Sequence, residues 1–129
     1  MFAVKSMAGV FFNMAVNLDT RVNKRKLREL AGVAYKRELG AQLSKLESEF
    51  ARWRSGEIDP FELSDRIHRF HDGISRDLHV LYGRLPPGHS VARAVALRVL
   101  QEAEVPAELL EALERPLHFY REQLLDPDE

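Results

Sequence analysis

Asp65, His68, Asp72 and His79 fall at intervals of three, four and seven along one stretch of the chain. Side chains three and four residues apart meet on one helix surface. Imidazole and carboxylate together bind divalent cations. Helical-bundle metal enzymes build sites from such pairs, with further ligands on a facing helix. Glu114, His118 and Glu122, four apart, could supply them. This pattern would serve a metal-dependent hydrolase. The structural alternative is a set of helix-surface ion pairs and polar borders of a core.

Arg66 and His71 carry a second possibility, an arginine followed by four residues and a histidine. The pattern resembles the motif of the HEPN superfamily, small all-α proteins that include ribonucleases. That resemblance covers six residues and the fold class, and Ile67 stands where the motif usually has a polar residue. It implies that Arg66 and His71 act on a phosphate and an attacking ribose hydroxyl. Five positions along a regular helix separate two side chains by about 140°. Convergence would need a local distortion, with Gly73 the natural place, or a dimer interface. Read structurally, Arg66 faces solvent and His71 borders the core. The adjacent His71 and Asp72 also resemble the metal pair of HD-type phosphohydrolases, but that family needs a histidine well upstream and none precedes His68.

Arg21, Lys24, Arg25, Lys26 and Arg28 form an acid-free run between residues 21 and 28. Cations at a helix N-terminus oppose the macrodipole, which favours acids there. A local conflict of this kind points to a binding role, and phosphate of a nucleic acid is the natural ligand. No helix-turn-helix, zinc-finger or RNA-binding signature accompanies the run. A solvated face, or docking on the acidic end of the chain, would also account for it. That end, residues 102–129, carries nine acids against Arg115 and Arg121.

Composition narrows the classes. The 129 residues are 45% hydrophobic and 30% charged, with a net charge of −1, which describes one ordinary globular domain. Cysteine is absent. Disulfides, thiolate metal sites and cysteine nucleophiles are thereby excluded, and a reducing cytoplasm is the expected location. No apolar run reaches the roughly 18 residues of a membrane span. Met1 to Val16 is apolar but lacks the basic start and cleavage site of a signal peptide, and Met14 is an alternative start. No nucleophile elbow or phosphate-binding glycine loop occurs, and no cofactor is expected.

The elements that would position these residues read as helices. Residues 19–53 form a long first helix, with Leu39, Leu43, Leu46, Phe50 and Trp53 at the alternating spacing of a coiled coil. Gly32 and Gly40 mark a bend or a close helix crossing. Asp59, Pro60 and Glu62 begin a second helix with a capping box and proline at its first position. Its apolar stripe runs Leu63, Ile67, Phe70, Ile74, Leu78, Leu81. The short connection makes the two an antiparallel hairpin. Ser90 caps a third helix, Val91 to Ala103, which is apolar nearly all round and therefore buried. A fourth opens at Pro106 and kinks at Pro116.

The expected architecture is a single all-α bundle of about four helices over residues 19–125. An N-terminal extension, residues 1–18, and a frayed tail, residues 126–129, flank it. The long first helix and the apolar third helix call for a homodimer built on both. The expected function is macromolecular binding, as an accessory or regulatory subunit with a protein partner and antitoxin-like in size and class. The alternative is an enzyme on the histidine flank.

Overall fold

Thr20 starts the first helix. Its hydroxyl accepts the Asn23 N–H at 3.2 Å and its carbonyl accepts the Lys24 N–H at 2.8 Å, the pattern of an N-cap. The computed structural model describes residues 17–125, and every regular element among them is helical, with no strand. The expected tail, and all but Asn17 and Leu18 of the expected N-terminal extension, lie outside the described residues. The described residues cluster into two compact units: residues 17–34 with 86–125, and Tyr35–Leu85. Helix α1, Arg21–Arg54, contributes to both.

α1 passes Gly32 and Gly40 without interruption. A Cβ built on either glycine meets nothing within 4 Å. Among the described residues, the expected close crossing is therefore not seen at either. α1 ends where Gly56 turns left-handed, at φ 81°. The Glu57 N–H then reaches the Arg52 carbonyl at 2.9 Å and the Gly56 N–H reaches that of Trp53 at 3.0 Å. This is a Schellman cap, which uses glycine because a Cβ is strained there.

In the Tyr35–Leu85 unit, α1 is followed by α2, Pro60–Phe70, a π-turn at His71–Ser75, and α3, Arg76–Arg84. The α2 start is as expected. The Asp59 carboxylate accepts the Glu62 N–H at 2.8 Å, and the Glu62 carboxylate accepts the Asp59 N–H at 3.1 Å. The expected unbroken stripe is corrected by the π-turn, where Gly73 leaves helical geometry at φ −100° and ψ −105°. A π-turn inserts an extra residue and rotates all that follows by about 100°. Leu63 and Leu78 are buried, whereas Ile67 and Ile74, on either side of the distortion, are more than a third exposed. The two helical runs bridge at both ends. Arg66 meets Glu49 at 2.6 Å near the 55–59 connection. At the far end Tyr82 stacks on Tyr35 at 4.8 Å, rings 7° apart, and its hydroxyl donates to Glu38.

In the other unit, α4 is Pro87–Ala96, α5 is Ala107–Ala112 and α6 is Glu114–Leu125, with a 3-10 turn at Glu102–Glu104. α4 packs mainly on α6. The core joins Leu27, Leu30 and Ala34 of α1 to Val91, Ala92, Ala94 and Val95 of α4, and to Leu100, Val105, Leu109, Leu113 and Leu117. Two expectations for the third helix are corrected. It begins at Pro87, so Ser90 is not its cap; the Ser90 hydroxyl is buried and has no hydrogen-bond partner among the described residues. It also stops at Ala96 rather than Ala103, because Arg98 turns left-handed at φ 62°. Val99 N–H reaches the Ala94 carbonyl at 2.8 Å and Arg98 N–H that of Val95 at 3.0 Å, a second Schellman cap. The short α4 has its apolar residues covered by its own chain, Val91 and Ala94 at 0% exposure. It needs no second subunit to bury it. The last helical stretch breaks at Leu113, φ −96° and ψ 12°. Pro116 cannot donate to the Ala112 carbonyl and its ring crowds it, so the helix restarts with the proline in the first turn of α6.

Candidate functional site

The histidine flank is placed by α2, the π-turn and α3. Asp65, His68, His71, Asp72 and His79 are all exposed. Asp65 is taken up by Arg69 one turn later. His118, on α6, lies 3.8 Å from Glu122 and is exposed. Among the described residues no three histidine or carboxylate side chains come together as a cation would need. The expected metal ligands are therefore present as single residues and helix-surface pairs.

Arg66 and His71 occupy the reverse of their expected structural positions. Arg66 is half-buried and turned toward α1, where Glu49 accepts its hydrogen bond. His71 is exposed and does not border the core. Phe70 and His71 both keep ordinary helical angles, and the distortion at Gly73 follows them. It thus falls outside the Arg66–His71 interval and does not swing one side chain toward the other. Glu49 also accepts from Arg52 at 3.1 Å, and Arg52 donates to Glu57 at 2.7 Å. The Glu57 hydrogen bond, then its charge, raise the Arg52 pKa above the ordinary arginine value. This Glu49–Arg52–Glu57–Arg66 cluster was not apparent in the sequence. Its i,i+3 pair was visible there, but Arg66 joins only once two helical runs lie side by side.

The basic run occupies the first two turns of α1. Arg21, Lys24, Arg25 and Arg28 are exposed and Lys26 is half-buried. No carboxylate among the described residues pairs with any of the five, so docking on the acidic end of the chain is not seen there; Arg121 of that end pairs instead with Glu102 at 2.7 Å. The first turn of α1 has no acid. Lys24 and Arg28 border a hollow of about 410 Å³ floored by Leu27, Leu113 and Pro116. Its other wall is the start of α4, where Gly88 lets the backbone approach: a Cβ there would stand 3.1 Å from Leu113.

No helix among the described residues is long and apolar enough to cross a membrane. No family model, curated protein or solved structure matches the chain.

Proposed function

We infer that the chain acts by macromolecular binding, as an accessory or regulatory subunit, and that its first partner is a second copy of itself. The observation that supports this is the apolar face of the Tyr35–Leu85 unit. Read as an antiparallel hairpin, the unit has only two helical runs, and two helices cannot enclose a core. Leu43 is 47% exposed, Trp53 40%, Ile67 37% and Ile74 36%. On α1 the exposed residues belong to the Leu39–Trp53 seam, whose alternating intervals are those by which like helices interlock. The Arg66–Glu49 contact orients both runs, and helical geometry then puts the α1 seam and the Leu63–Ile67–Phe70 side of α2 on the same side of the pair. Glu47 and Arg54 flank the seam one heptad apart and have opposite charges. In two antiparallel copies about a two-fold axis, each can pair with the other. The docking helix is thus α1 with its hairpin partner. The apolar third helix is already covered.

Light scattering tests this. The expected mass is twice that of the chain, and Leu43→Glu should return it to one with the helical signal retained. Trp53, the only tryptophan, reports the same event, with emission shifting to the blue as concentration rises. A wild-type monomer at tens of micromolar, or a dimer indifferent to Leu43→Glu, would overturn the reading.

A further inference from the structure

The geometry points to a second surface, separate from the hairpin face: the first two turns of α1 bind the phosphate backbone of a nucleic acid. Arg21, Lys24, Arg25 and Arg28 lie at i, i+3, i+4 and i+7, which confines them to an arc of about 100° on a helix. Leu27 and Leu30, on the opposite side, are buried. The cations therefore form one outward strip, about 10 Å long at the helical rise. Lys26 stands off it. Like charges three and four apart repel on a helix. The positive end of the macrodipole adds to that. Among the described residues no carboxylate pairs with the strip, and the first turn of α1 has no acid. An anion from outside would relieve both.

Three features favour a phosphodiester chain over other polyanions. One nucleic-acid strand carries a charge about every 3.4 Å along a duplex axis, so the strip spans about three such intervals and its four cations match about four successive phosphates. A membrane-binding helix needs an apolar face free to insert, and here Leu27, Leu30 and Ala34 are used in the core. Lys24 and Arg28 also edge the apolar-floored hollow of about 410 Å³, although Asp19 lies on its rim as well. Low-dielectric walls strengthen the field of the charges at such a mouth.

Fluorescence anisotropy with labelled single-stranded RNA, single-stranded DNA and duplex DNA, each of about 20 nucleotides or base pairs, distinguishes the sources of phosphate. Between about 50 and 200 mM salt, four contacts per chain predict a log–log slope of about −3.6 on duplex or about −2.8 on a single strand. Arg25→Gln alone should reduce the slope by about 0.9 or 0.7 respectively. Arg21→Gln, Lys24→Gln, Arg25→Gln and Arg28→Gln together should abolish binding, while Arg76→Gln with Arg84→Gln leaves it intact. The single variant keeps the test decisive if the quadruple one misfolds. Binding should persist in Leu43→Glu protein, which separates this surface from the dimer. No wild-type binding at the lowest salt would overturn the inference. So would binding that ignores the strip variants, or capture by phosphatidylserine vesicles or a polyglutamate peptide with the oligonucleotides left free.

Discussion

Arg66 and Glu49 meet at 2.6 Å between α2 and α1, with both side chains mostly shielded, at 33% and 23% exposure. The pair gives Arg66 a structural role that its spacing to His71 did not indicate. Partly buried pairs of this kind exceed the median exposed ion pair, so a double-mutant cycle on Glu49→Gln and Arg66→Gln should return a coupling of about 0.5–1 kcal/mol. His71→Ala, at an exposed position, should leave stability within about 0.5 kcal/mol. Urea midpoints check both. A zero coupling energy would mean that the contact is only geometric, and RNA cleavage lost in both Arg66→Gln and His71→Ala would revive the ribonuclease reading.

The α2 start offers a second test. Asp59 and Glu62 satisfy each other's backbone N–H groups, which is the full capping box. Asp59→Ala should lower stability by about 0.5–2 kcal/mol and Asp59→Asn by much less, since asparagine caps nearly as well. Equal losses in the two variants would show that the charge, not the hydrogen bond, is what matters.

Gly56 and Arg98 end two helices in the same motif, with φ 81° and 62°. The left-handed conformation costs an L-residue with a side chain roughly 1–2 kcal/mol. Gly56→Ala should therefore destabilise by about 1 kcal/mol. Arg98→Gly should stabilise by up to about 1 kcal/mol, the relief being reduced by the added freedom of glycine in the unfolded chain. Thermal midpoints moving in opposite directions are the expected result. A large loss in Arg98→Gly would show that the arginine side chain is worth more than its backbone strain.

Glycines 32 and 88 should respond with opposite signs to added side chains. Gly32 is in mid-helix with open space around it, and Gly32→Ala should gain about 0.5–1 kcal/mol from helix propensity. Gly88 lies against Leu113 and Leu27, and Gly88→Val should lose about 1–3 kcal/mol by overpacking. Destabilisation by Gly32→Ala would indicate that something packs on that helix face in the native assembly.

The sequence alone determined the helical class, the continuous α1 and the capping box at Asp59. These follow from interactions within one or two turns: periodicity, a side chain reaching the N–H three residues on, and the absence of proline. The break near Pro116 belongs with them, because the lost donor and ring crowding are local. Tertiary structure decided the rest. Val91 to Ala103 read as a helix that needed a second subunit to cover it, yet α4 ends at Ala96 and its Val91, Ala92, Ala94 and Val95 are buried within the chain. Periodicity shows that a face is apolar, but not whether its cover comes from the same chain. The π-turn at Gly73 split a stripe that is regular on paper, because one extra residue in a turn rotates everything after it. Arg66 illustrates the limit most directly. Its motif partner His71 lies five residues away in the adjoining π-turn, but the geometry gave it to Glu49, seventeen residues back, because only packing sets which charges from different helices meet.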